Sequence, residues 1–142
     1  MNKLKLLALL TILLLSKFAN AQTQKEIGTQ FITTLFQKEY TKAVDFFDES
    51  LKGKISDTLL EKTVAQISTQ LGEYKENIEI NQEDANEMST IYYYSKFEKS
   101  NLDIKLTFNK QSKLLGFFFA PHKEFKKKAT PKVKSKKVTE KK

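Results

Sequence analysis

His122 is the one histidine in 142 residues, and no cysteine accompanies it. A lone imidazole without thiols falls well short of the four ligands that zinc collects, so no metal site is expected. As a general base it would need burial or a positioned carboxylate, and its neighbours Pro121 and Lys123 promise neither. A solvated His122 is the expectation. Glu83, Asp84 and Glu87 cluster in the stretch Asn81-Gln82-Glu83-Asp84-Ala85-Asn86-Glu87. The glycine turn and ligand spacing of a calcium loop are missing there, and a polar hairpin loop fits better. Gly28, Gly53, Gly72 and Gly116 stand alone, so there is neither a glycine-rich phosphate loop nor a serine-nucleophile turn. Asp103 is expected to face away from the apolar side of its strand. Tyr93 is expected to face inward, where a lone buried tyrosine is ordinarily a hydrogen-bonded core residue. No pair of groups supports catalysis, and the chain is read as a non-enzyme without cofactor.

The elements that must position these residues are legible from hydrophobic spacing. Ile27, Phe31 and Leu35 recur every fourth residue and predict a helix from about Lys25 to Gln37. Tyr40, Val44, Phe47 and Leu51 share one helix face, as do Leu60, Val64, Ile67 and Leu71. Ser56 suits the N-cap of that third helix, and Gly72 suits its C-cap. After Gly72 the period drops to two. Tyr74, Ile78 and Ile80 mark a first strand, and a second runs from about Met88 to Glu98. Leu102, Ile104, Leu106 and Phe108 mark a third, joined to the second through Lys99-Ser100-Asn101. Asn109 to Ser112 then turn the chain into a fourth strand, Lys113 to Ala120, which Pro121 ends. Three helices followed by a four-stranded antiparallel meander is an α+β plan, with the helices covering one sheet face. Strand four places Leu115, Phe117 and Phe119 on one side and Leu114 and Phe118 on the other. With Tyr92 and Tyr94 from strand two, the outer face reads as an apolar, tyrosine-rich patch suited to a partner or a second copy. Cover from the domain's own loops or tail is the competing reading.

The two ends differ from this middle. Lys3 and Lys5 precede an apolar run from Leu6 to Leu15, and Ala19-Asn20-Ala21 follows. That order reads as a secretory signal cleaved before Gln22. Ten helical residues span about 15 Å of a bilayer core near 30 Å, and Lys17 blocks an extension, so an anchor is disfavoured. Without cysteine the chain is not expected to be a lipoprotein, and export to the periplasm or beyond is expected. Every one of the 25 basic residues is lysine. Residues 22–120 carry 12 lysines against 15 acids, whereas 121–142 carry 10 lysines against Glu124 and Glu140. The division expected is a signal over 1–21, one α+β domain over 22–120 and a disordered lysine-rich tail over 121–142. Outside the cytoplasm such a tail is drawn to anionic lipid, polyanionic glycan or free nucleic acid. The lack of arginine forks argues against specific nucleic-acid recognition. A solubilising tail without a partner is the plainer alternative.

The run Phe36-Gln37-Lys38-Glu39-Tyr40-Thr41-Lys42-Ala43, followed by Phe47-Asp48 and Leu51, resembles the opening of the domain of unknown function 3887 family. Leu71-Gly72-Glu73-Tyr74 and Leu115-Gly116-Phe117-Phe118 resemble its later landmarks, so the likeness spans roughly Lys25 to Ala120. That family is similar to nuclear transport factor 2-like proteins. The resemblance therefore implies a cone of helices on a curved sheet that can enclose a pocket. Its members often precede an α/β-hydrolase domain; the lysine-rich end of this chain carries the expectation that none follows. Members often show a tryptophan in the third helix and this chain has none, which leaves the likeness of its pocket open.

Three readings of function result. The first is an exported, non-catalytic binding or interaction module with a small apolar pocket, dimerising through the outer sheet face. Tyr93, Phe97 and Phe117 form its pocket wall, because alternation puts them on the helix-facing side. The second is an envelope protein that holds an anionic glycan or lipid surface through Lys126, Lys127, Lys128, Lys132, Lys134, Lys136 and Lys137. The third, resting on fold analogy, is a small-molecule isomerase or hydratase.

Overall fold

The computed structural model describes residues 23–126. Helix α1 occupies 23–36 and buries Phe31, Ile32 and Leu35. It ends where Lys38 turns left-handed at φ 64°, with the Lys38 amide donating to Leu35 O and the Glu39 amide to Thr34 O. A short α2, Tyr40–Val44, and a 3-10 turn, Glu49–Leu51, follow. The single helix expected through Leu51 is therefore broken. Phe46 to Asp48 are needed elsewhere: Phe47 bridges in parallel to Leu114, with the Leu114 amide donating to Phe46 O and the Asp48 amide to Leu114 O. Asp48 then caps the 3-10 turn by accepting from Ser50 N. Helix α3, Asp57–Leu71, has the caps its sequence promises. Ser56 Oγ accepts from Leu59 N at 3.1 Å, and Gly72 stops it at φ 76°.

The strands are β1 (Tyr74–Ala85), β2 (Met88–Phe97), β3 (Asn101–Phe108) and β4 (Leu114–Ala120). They form an antiparallel meander in chain order, curled and unclosed. Helices and sheet meet over one core that includes Phe31, Phe47, Leu60, Tyr93, Ile104 and Leu106. Alternation puts Ile91 and Tyr93 of β2 and Ile104 and Leu106 of β3 into it.

Two strand expectations need correction. The polar stretch 81–87 is not a loop, since β1 pairs in register up to Ala85 opposite Met88. Only Asn86 and Glu87 turn, both left-handed at φ 49° and 68°, which is the two-residue hairpin whose twist suits the strands. Leu114, expected on the outer face with Phe118, is fully buried. The register slips between Thr107 and Phe108, so that Phe108 pairs with Leu114 while Thr107 pairs with Gly116. The extra residue, Leu115, is a bulge that brings Leu114 to the same side as Phe117 and Phe119. Irregularities in β1 likewise leave Ile78 half exposed while Ile80 and Tyr74 face the core.

Candidate functional site

The outer sheet face is read from the register. One row across it runs Asn81, Tyr92, Lys105, Phe118, and the next runs Glu79, Tyr94, Asp103, Ala120. Asp103 thus faces away from the helices, as its alternation required. It is nevertheless only 1 % exposed, because the chain beyond Pro121 doubles back over it. His122 Nδ1 lies 2.9 Å from Asp103 Oδ1, and the Lys123 amide donates to Asp103 Oδ2 at 2.7 Å. The imidazole stacks on Tyr94 with ring centroids 3.7 Å apart. One residue on, Lys123 Nζ pairs with Glu83 and sits 5.1 Å from the centre of the Tyr92 ring. Phe125 meets the same ring edge-on at 5.0 Å.

His122 stays partly solvated, its side chain 29 % exposed, but it also has what its sequence neighbours did not promise: a buried carboxylate positions it. The register explains the meeting. Ala120 pairs with Asp103, and His122, two residues further on, falls over the same outer face. Reading the β3–β4 register from sequence would have found the pair, but the Leu115 bulge hides that register.

The electrostatics follow from these contacts. The Lys123 ammonium holds the Glu83 carboxyl below its ordinary range, against a smaller opposing effect of burial, and the Tyr92 hydroxyl donates to its other oxygen at 3.1 Å. Lys123 is raised in return, chiefly by Glu83. Burial, then Glu83, raises the Tyr92 phenol. An imidazole oriented by a carboxylate is the geometry of a general base. Here the second Asp103 oxygen is occupied by the Lys123 amide, so the carboxylate fastens two consecutive residues of one segment.

The expected pocket wall lies on the opposite face. Tyr93 is fully buried and donates to Lys25 O at 2.8 Å, and burial pushes its phenol well above the ordinary range. Phe97 is buried against Phe36 and Tyr74, and Phe117 packs against Phe31, Phe47 and Phe119. Three clefts among the described residues are lined by other side chains. The first, about 390 Å³, lies between Gln24, Asp84, Ser89 and Asn109; the second, about 330 Å³, between Ile27, Phe46 and Lys113. The third, about 420 Å³, includes Phe36, Lys38, Ser68 and Tyr74.

The clustered carboxylates also separate. Glu83 joins Lys123, Asp84 accepts from Gln82 and Ser89, and Glu87 pairs with Lys110. Among the described residues no group of three or more His, Cys, Asp or Glu is placed to hold a metal ion, and no helix is long and apolar enough to cross a membrane.

The face expected to meet a second copy is covered over Tyr92 and Tyr94 by the chain itself, while Phe118 stays 61 % exposed. Lys126 is exposed at the end of the docked segment. Lys127, Lys128, Lys132, Lys134, Lys136 and Lys137, like the expected signal, lie outside the described residues. A family model described as a protein of unknown function (DUF3887) matches residues 28–117. No curated protein and no solved structure matches the chain.

Proposed function

The chain belongs to the DUF3887 family of proteins of unknown function, and on that premise we propose a function from its own geometry: an exported, non-catalytic module that holds its lysine-rich C-terminal segment against an anionic surface. The observation that carries this is the fastening of residues 122–125 to the outer sheet face by Asp103, Glu83, Tyr92 and Tyr94. Two carboxylates of a domain rich in acids hold the root of the basic segment. Lys126 and the lysines after it are thereby launched from one fixed place on the fold. The helices on one face of a curled sheet are compatible with a nuclear transport factor 2-like fold, which we include in the proposal.

The test compares the chain from Gln22 to Lys142 with one ending at Lys126, which keeps the fastened residues. Heparin and vesicles rich in phosphatidylglycerol serve as probes. The full chain is expected to bind at low salt and to weaken steeply as salt shortens the screening length toward about 10 Å at 0.1 M. The shortened chain is expected to lose most of that binding. Equal binding by the two chains, or none by either, overturns the proposal.

A further inference from the structure

Phe118 is the most exposed of the large apolar side chains described, at 61 %, and it has no need to be there for the core. It projects from the outer face directly opposite Lys105 on β3, beside Gly116, which offers no side chain to cover it. Lys105 stands between Phe118 and Tyr92, with its ammonium 5.7 Å from the Tyr92 ring centre. The docked segment adds the half-buried Phe125, with Lys123 5.0 Å from that ring, and then the exposed Lys126. Of the acids nearest these lysines, Glu83 is paired with Lys123, and Asp103 is covered by His122 and the Lys123 amide. Glu79 and Glu124 remain exposed on or near this side, and by sequence they are outnumbered by the lysines of the C-terminal segment.

Aromatic rings bordered by lysines can stack on sugars or bases, but here Phe118 projects alone at 61 % exposure while Tyr92 is covered by Phe125, which leaves no platform for a run of them. A lone ring bordered by lysines matches a bilayer surface, where rings settle at headgroup level and ammonium groups meet anionic headgroups. A polybasic segment alone holds a membrane reversibly and responds to salt; an apolar contact adds a second, salt-insensitive attachment.

We propose that the outer sheet face docks on an anionic lipid bilayer, with Phe118 entering the interface and Lys105 and Lys126 meeting the headgroups. This rests on the anionic-surface reading above and names its partner as lipid.

The chain has no tryptophan, so F118W installs a single indole at the proposed contact. With vesicles of phosphatidylglycerol and phosphatidylcholine, its emission is expected to shift to the blue and to become protected from aqueous iodide. F118S is expected to weaken vesicle binding about tenfold, the scale of losing one partly inserted ring, and to leave heparin binding unchanged. Circular dichroism and thermal unfolding of both variants confirm that they fold. An indole that stays accessible to iodide on vesicles overturns the inference. So does an equal effect of F118S on vesicles and heparin, or a loss of self-association in F118S, which would assign the ring to a second copy. In the first of these cases salt-sensitive binding through the lysines still stands; if neither heparin nor vesicles bind, the anionic-surface reading itself falls.

Discussion

Gly28 lies within α1, where glycine ordinarily weakens a helix by about 1 kcal/mol relative to alanine. Its reason is Tyr93: a Cβ on Gly28 would run into the phenol, whose hydroxyl reaches past it to Lys25 O. Gly28→Ala is therefore expected to destabilise the domain by roughly 1–3 kcal/mol through overpacking, despite its better helix propensity. Removing the oxygen that the new methyl meets should restore part of the loss, so that G28A and Y93F together cost less than their sum in urea unfolding. The same phenol gives a pH prediction. Below about pH 10 it is protonated in folded and unfolded chains alike, and its full contribution is present. Above that the unfolded chain releases the proton while the buried phenol keeps it, so stability falls as pH rises toward the raised folded value. The urea midpoint of the native chain is expected to fall more steeply above about pH 10 than that of Tyr93→Phe. Equal slopes would show that the phenol is not buried as described. The inward position of Tyr93 was legible from alternation alone. Its fit against Gly28 was not, because nothing in either sequence neighbourhood says which helix turn crosses which strand residue.

Elements with their own local signals read correctly, and those shaped by another part of the chain did not. Helix α3 carries its N-cap, its apolar stripe and its terminal glycine within seventeen residues, and it forms as read. At Gly72 a Cβ would lie 2.6 Å from Glu98 Oε2 at a φ of 76°, so Gly72→Ala is expected to cost more than about 1 kcal/mol. The second helix failed because its continuation is diverted to the edge of β4, a demand from nearly seventy residues away. The Leu115 bulge was likewise invisible, since Leu114, Leu115, Phe117, Phe118 and Phe119 are apolar on either register. The β1–β2 turn leaves room for improvement. Glu87 occupies the second left-handed position, where glycine is preferred, and its pair with Lys110 is exposed. Glu87→Gly is expected to stabilise by about 0.5–1 kcal/mol in thermal unfolding; a loss of stability would mean that the turn adopts another form.

At the scale of the molecule, the docked segment decides what the sheet shows to solvent. Its contacts comprise two bonds to a carboxylate, one stack, one edge-on ring pair and the exposed Lys123–Glu83 pair, which solvent screens to a small contribution. At about 1.5–3 kcal/mol for each bond to a charged group and 0.5–1.5 for each aromatic pair, the gross gain is several kcal/mol. Fixing the backbone of residues 122–125 costs about 1–2 kcal/mol per residue, a sum of the same size. The two nearly cancel, so the fastening is a cover more than a source of stability. Ending the chain at Ala120 should accordingly change the unfolding free energy by less than about 1–2 kcal/mol. It uncovers Tyr92 and Tyr94 on the face that already shows Phe118, and so enlarges the tyrosine-rich patch that the sequence suggested for a second copy, with Lys105 and Asp103 set among the rings. The chain ending at Ala120 is expected to bind a hydrophobic dye and to associate with rising concentration in sedimentation, while the chain ending at Lys126 stays monomeric. If both behave alike, the segment does not shield the sheet. A large loss of stability on ending at Ala120 would instead make the His122–Asp103 fastening part of the fold's foundation.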